Sequence, residues 1–433
     1  MDYIPVLILV LSFISLLLIG VPVAWSIAIS SLLTMFASIP LVPALTTVSQ
    51  RIGTGLDSFS LLAIPFFVLS GQLMNKGGIA HRLIAFAKTL VGSLPGGLAL
   101  INVIAAMLMG SIAGSAMASA SAMGSILGPE MEKEGYSKEF GAAVNITSST
   151  IGLVIPPSNV LIVYSLASGG VSIAALFIAG YIPGILTGLL LMIVASFWAK
   201  KKGYKLGEKS TLKAVVKTFI AAFPSLMLLV VVIGGIVVGI FTATEASAIA
   251  VLYTMVLGFW YKEIKIKALP EILLDSCATT AIVMLLIGAS MSMSWVMSYE
   301  NIPQNISEVL LGISENKIII LLIINMLLLC VGIFMDMTPA VLIFTPIFLP
   351  IIEKLGMDPV QFGIIMVLNL CVGLCTPPVG SVLFVGVGIA NTTIEKVVKP
   401  LLPLFLAMIF ALMLVTFVPA ISLWLPNLFG LMN

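Results

Sequence analysis

Two stretches of this chain place a glycine and a proline pair inside apolar segments long enough to cross a membrane. They read Gly152-Leu153-Val154-Ile155-Pro156-Pro157 and Gly373-Leu374-Cys375-Thr376-Pro377-Pro378. Proline removes a backbone donor, clashes with the carbonyl four residues back and disfavours helix just before it. Each pair therefore breaks a helix at membrane depth. Irregular backbone is tolerated there only where it is buried in protein or lines water. Broken helices in matching positions of two halves are a pointer to a midplane binding site.

Composition sets the class. Of 433 residues 60% are hydrophobic and only 9% charged, with mean hydropathy +1.23. A soluble chain carries about 25% charged residues. The chain reads as an all-α polytopic membrane protein, because a β-barrel would show short alternating segments. At roughly 20 apolar residues per span there is room for about ten spans plus half-length elements. The four cysteines, Cys277, Cys330, Cys371 and Cys375, all lie in apolar segments. Cys371 and Cys375 share a helix face but lack the His or carboxylate company of a metal site, and they read as buried spectators. The first apolar run begins at Ile4 with no basic region before it, which reads as a first span and not a cleaved signal peptide.

In chain order, Ile4–Gly20 is a span, Pro22 a bend, and Val23–Ala37 a return; 40–51 reads as a loop. Gly53–Leu73 follows, with a kink expected at Pro65 and Asp57 as a helix cap. Residues 76–97 read as an amphipathic interfacial arm carrying His81, the only histidine. The run from Leu98 to Leu127 is rich in small and hydroxyl residues, which suits two half-length helices meeting in a hairpin near Gly114-Ser115; a continuous small-residue packing span is the alternative. The first broken helix occupies 138–168, and Val171–Ala199 is a span. A linker, 200–217, holds seven lysines and one acid. It separates a first half, 1–199, from a second, 218–433. There the spans resume, followed by a polar arm at 299–317, a second hairpin at about 318–352, the second broken helix at 361–389 and a final span.

The halves repeat. An offset of 221 pairs Ile126 with Ile347, Pro129 with Pro350, Glu132 with Glu353, Lys133 with Lys354, Gly135 with Gly356, Gly152 with Gly373, Leu153 with Leu374, Pro156 with Pro377 and Pro157 with Pro378. Lys and Arg accumulate on the cytoplasmic side. With the basic linker inside, only Arg51, Lys317 and Lys354 of the 20 basic residues fall outside, leaving 20 − 3 = 17 inside. Both termini come out external. Each half then has an odd number of crossings, so the reading is an inverted-topology repeat with two re-entrant hairpins whose tips reach the midplane.

Helix ends gathered at one depth suit ions: carbonyl ends favour a cation and N-termini an anion. Oxygens of Ser115, Ser119, Asn145, Ser148 and Thr150 suit a hard cation such as Na⁺, and Asp336, Thr338, Asn369 and Thr376 are their second-half counterparts. The simpler reading is that these groups satisfy freed backbone. Asp336 is an ionisable residue at bilayer depth and so a functional candidate; cation ligation, proton coupling and helix capping all fit. Glu245 reads as a helix cap or a contact with a partner subunit. No GxxxxGK[ST], HExxH, CxxC or Ser/His/Asp set occurs, so neither direct ATP use nor intramembrane enzyme chemistry is expected.

Several of these stretches resemble the large membrane subunit of tripartite ATP-independent periplasmic (TRAP) transporters. They are Leu62-Ala63-Ile64-Pro65-Phe66-Phe67, Gly110-Ser111-Ile112-Ala113-Gly114-Ser115, the run from Gly234 to Ala246, Met335-Asp336-Met337-Thr338-Pro339-Ala340 and Gly373 to Gly380. The resemblance runs from about residue 20 to the C-terminus. It implies no enzyme and no cofactor, but Na⁺-driven uptake of an organic anion such as a sialic acid or C4-dicarboxylate, by an elevator-type architecture in a bacterial inner membrane. It also implies a separate small membrane subunit of about four spans and a periplasmic substrate-binding protein, with no nucleic acid. Carried over, it places Ser115, Ser119, Thr150, Asn159, Asp336 and Pro339 at the anion. Ser111, Ser115, Asn145, Ser148, Gly152, Pro156, Gly332, Asp336, Thr338, Gly373 and Thr376 fall at the cations. Ala243 stands where family members have proline, with no consequence expected. A stand-alone Na⁺/dicarboxylate symporter of similar build, and a channel or non-transporting scaffold, are the other readings.

Overall fold

The computed structural model describes residues 4–204, 211–314 and 316–432, leaving out the side chains of 80, 111–113 and 313. The first half runs α1 (Ile4–Leu18), α2 (Val23–Ser38), α3 (Leu41–Gly55), a 3-10 turn (Phe59–Leu62), α4 (Ala63–Lys76), α5 (Ile79–Val91), α6 (Gly97–Ala113), α7 (Ala116–Lys133), α8 (Lys138–Ile151), α9 (Asn159–Ala167) and α10 (Ile173–Lys202). The second runs α11 (Leu212–Val237), α12 (Ala243–Trp260), a 3-10 turn (Ile266–Ala268), α13 (Leu269–Tyr299), α14 (Ile302–Ile313), α15 (Lys317–Phe334), α16 (Met337–Lys354), α17 (Pro359–Leu374), α18 (Ser381–Ile389), α19 (Ile394–Phe417) and α20 (Ala420–Leu428). No strand occurs among the described residues.

The helix bounds recur at the 221-residue offset. Helices α7 and α16 start at 116 and 337 and end at 133 and 354; α8 and α17 start at 138 and 359, and α10 and α19 at 173 and 394. Local chemistry explains the match. Ser137 accepts the Phe140 N–H at 3.3 Å to cap α8, and Asp358, its counterpart 221 residues on, accepts the Val360 N–H at 2.7 Å to cap α17. Each cap satisfies one of the N–H groups a helix start leaves open. Gly114, at φ +61°, ends α6 in a left-handed conformation that side chains resist.

Among the described residues seven helices are long and apolar enough to cross a membrane, or eight if the bent pair made by α3 and Phe59–Lys76 is one span. That is fewer than about ten, because α1, α2, α6 and α17 are apolar but shorter than a span. At 18 residues each, α15 and α16 are about 27 Å long and count among the span-length helices, so the second expected hairpin is not built of half-length helices. Residues 41–55 are helix and not loop: their polar groups are absorbed internally, with Thr46 and Thr54 donating to the carbonyls of Val42 and Gln50. The bend, 60°, falls between α3 and the 3-10 turn and not at Pro65, which sits in the first turn of α4, where a missing N–H costs nothing. Asp57 caps no helix; it lies within the bend, where its N–H donates to the Thr54 carbonyl at 3.1 Å.

Two arms take the amphipathic form expected. Helix α5 buries Ile79, Leu83, Ile84 and Ala87 and exposes His81, and α14 buries Ile302, Ser307 and Leu310. Glu245 closes a capping box with Thr242: the Glu245 carboxylate accepts the Thr242 N–H at 2.8 Å and Thr242 Oγ1 accepts the Glu245 N–H at 3.3 Å. The linker is shorter than 200–217, because α10 runs on to Lys202 and α11 begins at Leu212; Tyr204 lays its ring 4.3 Å from that of Tyr136 in the α7–α8 loop, and residues 205–210 lie outside the described residues. At the centre stand α8 and α17. Helix α17 is buried at every residue from Val360 to Leu374, so its polar groups must find partners inside the protein.

Candidate functional site

Helix α8 stops at Ile151 and α9 restarts at Asn159; α17 stops at Leu374 and α18 restarts at Ser381. Pro156-Pro157 and Pro377-Pro378 are both joined by cis peptide bonds. The freed backbone is partly closed by turns: Leu153 N–H donates to the Thr150 carbonyl at 3.1 Å, and Thr376 N–H to the Gly373 carbonyl at 2.9 Å. A neighbouring helix presses on each break, α6 on the first and α15 on the second. A Cβ on Gly110 would stand 2.7 Å from Gly152 Cα, and one on Gly373 2.6 Å from Gly332 Cα. Only glycine permits backbones this close.

Polar side chains gather beside each break. In the first half Ser148 Oγ donates to Asn102 Oδ1 at 3.2 Å and Asn145 Nδ2 to the Ala120 carbonyl at 2.7 Å. In the second, Asn369, which is 148 + 221, donates through Nδ2 to Asn325 Oδ1 at 2.8 Å. Thr376 Oγ1 donates to the Val372 carbonyl at 2.8 Å, so its lone pairs remain open. Four buried oxygens here have no partner: Ser119 Oγ, Asn159 Oδ1, Asn369 Oδ1 and Ser381 Oγ. Each orphan costs about 1–3 kcal/mol if nothing meets it. Among the described residues no group of three His, Cys, Asp or Glu stands together. The two break helices join directly: Cys371 Sγ donates to the Thr150 carbonyl at 3.0 Å and Cys375 Sγ to the Ile146 carbonyl at 3.5 Å. The thiols are therefore partners in the crossing.

A cavity of about 190 Å³ opens beside the hairpin tips. One wall is the tip itself, Gly114, Ser115 and Ala118, with Asn159 on α9 and Thr338 on α16; the other is α4 and α13, contributing Gln72, Asn75 and Thr279. Among the described residues no charged side chain lines it. Instead three helix N-termini reach it: Ser115 caps α7, Asn159 is the first residue of α9 and Thr338 lies in the first turn of α16. Each such end carries about half a positive charge. Asn159 lies over the first tip, for a Cβ on Gly114 would meet its Nδ2 at 2.5 Å. Lys76, next to Asn75, is held away by Glu271 at 2.8 Å and Asp275 at 3.5 Å.

Of the positions expected at an anion, Ser115 and Asn159 line this cavity. Ser119 is buried one turn along α7, Thr150 sits in the α8–α17 crossing, Pro339 is buried in the first turn of α16, and Asp336 is the exposed residue preceding that helix. Of those expected at cations, Asn145, Ser148, Gly152 and Pro156 lie buried at or just before the first break. Gly332, Gly373 and Thr376 lie at the second, while Thr338 faces the cavity; the side chain of Ser111 lies outside the described residues. Asn102, Asn325, Gln72, Asn75 and Thr279 escaped the sequence reading. The signal for the asparagines was their presence in otherwise apolar helices.

The protein-family model "Tripartite ATP-independent periplasmic transporter, DctM component" matches residues 10–421. The chain is 55% identical to the uncharacterized protein YgiK of Salmonella typhimurium over 98% of each chain. It is 39% identical to the C4-dicarboxylate TRAP transporter large permease protein DctM of Rhodobacter capsulatus, over 96% of this chain and 98% of that one. Among solved structures the YdaH transporter of Alcanivorax borkumensis superposes with a TM-score of 0.65 at 13% identity, covering 90% of this chain and 91% of the other, a likeness of fold alone. With an all-helical membrane fold and a family match spanning nearly its whole length, the chain belongs to the DctM component family of TRAP transporters: it is a large permease and not an enzyme.

Proposed function

We propose that this chain carries a small organic acid into the cell, coupled to Na⁺, as the large permease of a binding-protein-dependent system. The observation that carries the reading is the convergence of three helix N-termini on one cavity without charged side chains. Such a site favours an anion through backbone dipoles and leaves part of the charge to be balanced by a co-bound cation. The unpartnered oxygens at Ser119, Asn159, Asn369 and Ser381 support hard-cation sites beside the two breaks. The recurrence at 221 residues supports an inverted repeat, and the seven lysines of the 200–217 linker support placing that linker in the cytoplasm and both termini in the periplasm. The cavity lies between the hairpin tips and α4 with α13, which suits an elevator in which the hairpins and broken helices slide against those helices. A separate small membrane subunit and a periplasmic binding protein complete the system.

The test is reconstitution of the three components in liposomes with a radiolabelled C4-dicarboxylate as the first substrate. Uptake is expected to need both the binding protein and an inward Na⁺ gradient, and to vanish when K⁺ replaces Na⁺. Uptake by this chain without the binding protein would favour a stand-alone symporter, and flux independent of any cation gradient would favour a channel.

A further inference from the structure

A second polar cavity lies away from the hairpin tips. It measures about 220 Å³ and sits between α7, the start of α8 and the end of α18. Asn102 and Asn145 line it although only 1% and 2% exposed, and Glu132 and Lys138, 3.5 Å apart, stand at its polar end. Lys138 and Asn145 stand seven positions apart on α8, about 10 Å along the axis. The cavity thus runs from the α7–α8 loop to within one turn of Ser148, whose hydroxyl bonds to Asn102. A space of this size is large enough to hold several waters.

The repeat supplies an internal comparison. Adding 221 to Gly124, Gly128, Gly141 and Asn145 gives Thr345, Leu349, Phe362 and Met366. Thr345, Phe362 and Met366 are buried, and Thr345 Oγ1 lies 3.3 Å from Met366 Sδ. Where the second half packs bulky side chains, the first keeps glycines and an asparagine around a cavity. Backbone crowding does not demand all of these glycines. A Cβ on Gly128 would have nothing within 4 Å, and one on Gly141 only the Met131 thioether at 3.6 Å. Gly128 lies inside α7, where glycine costs about 1 kcal/mol against alanine, and what it provides is open space. Gly124 does face a neighbour: a Cβ there would strike Asn145 Nδ2 at 2.7 Å.

We propose that this cavity is a water-filled inner vestibule by which a monovalent cation passes between the cytoplasmic solution and the oxygens of the first broken helix, without entering the organic-acid cavity. The inference rests on the orientation and cation coupling proposed above. It gives cation and acid separate inner exits.

The experiment uses the full chain co-expressed with its small subunit, with the exposed Cys277 and Cys330 replaced by serine. Gly141→Cys reports on the vestibule and Thr345→Cys on the packed second half. The probe is a membrane-impermeant trimethylammonium methanethiosulfonate, applied to inside-out and to right-side-out vesicles. Gly141→Cys is expected to react in inside-out vesicles only, Thr345→Cys in neither, and adding Gly128→Leu to remove the Gly141→Cys reaction. In reconstituted vesicles Gly128→Leu is expected to slow Na⁺-driven net uptake while sparing acid-for-acid exchange at saturating Na⁺ on both sides, and Gly128→Ala to keep both. Reaction from the outer face, no reaction in intact protein, or equal loss of uptake and exchange overturns the vestibule. A silent Gly141→Cys alongside normal Na⁺-dependent uptake removes the vestibule and leaves the transport reading standing. A reactive Gly141→Cys with uptake indifferent to Na⁺ removes the coupling reading, and the cation passage with it.

Discussion

The sharpest test of how the hairpins hold the breaks is Gly373→Ala. Carbon atoms in contact sit about 3.5–4.0 Å apart. A methyl on Gly373 would stand 2.6 Å from Gly332 Cα and 2.8 Å from its carbonyl carbon, a shortfall of about 1 Å. Both neighbours are backbone, so no rotamer relieves the clash; α15 and α17 must separate. Overpacking of this kind costs about 1–3 kcal/mol. Taking about 2 kcal/mol, at about 2–4 °C per kcal/mol for a unit the size of one half, the thermal midpoint falls by about 4–8 °C. Displacing α15 from the break also moves the carbonyls beside Thr376, so Na⁺-dependent uptake falls with it. The assay is a melting curve of detergent-purified protein together with uptake in the reconstituted system. Gly234→Ala is the control: it lies inside α11 with nothing within 4 Å of a new Cβ and should match or exceed wild type by up to about 1 kcal/mol. A Gly373→Ala protein that melts and transports like wild type would refute the close packing of hairpin on break.

Other substitutions separate the remaining ideas. Thr376→Val keeps shape but removes the hydroxyl that donates to Val372, and should raise the Na⁺ concentration needed for half-maximal uptake; an unchanged Na⁺ profile counts against Thr376 as a ligand. Asn159→Leu removes the amide N–H donors that line the cavity, and organic-acid uptake should drop with the melting temperature largely kept. Thr242→Ala dismantles the capping box of α12 and should cost about 1 kcal/mol in a melting assay. Lys76→Met opens an ion pair whose acidic partners are more than half exposed, so the stability change should stay within about 1 kcal/mol.

The breaks were legible because local chemistry dictates them, and the caps at Ser137 and Asp358, which the sequence reading did not name, are local in the same way. A proline pair stops a helix whatever surrounds it, and Ser137 and Asp358 cap helices through their own next turn. The bend before α4 was misplaced at Pro65 because a proline in a first helical turn looks, in sequence, like one in a helix interior. Residues 41–55 were misread for a related reason: their threonines satisfy themselves on carbonyls one turn back, which leaves no polar group needing a loop. Gln72, Asn75 and Thr279 could not be placed at the cavity, since their role depends on which face of α4 and α13 turns toward the hairpin tips. Asn102 and Asn325 acquire meaning only beside Ser148 and Asn369, on helices more than 40 residues away in the chain.

The bond from Cys371 Sγ to the Thr150 carbonyl joins residues separated by 371 − 150 = 221 positions, the repeat offset itself. A position that touches its own counterpart is what an isologous seam produces when two copies meet across a two-fold axis. This self-pairing supports the reading of the two halves as an inverted repeat, with the linker joining the copies. The acceptor is a backbone carbonyl, which any residue supplies, so this contact should survive Thr150→Val and be lost with Cys371→Ala.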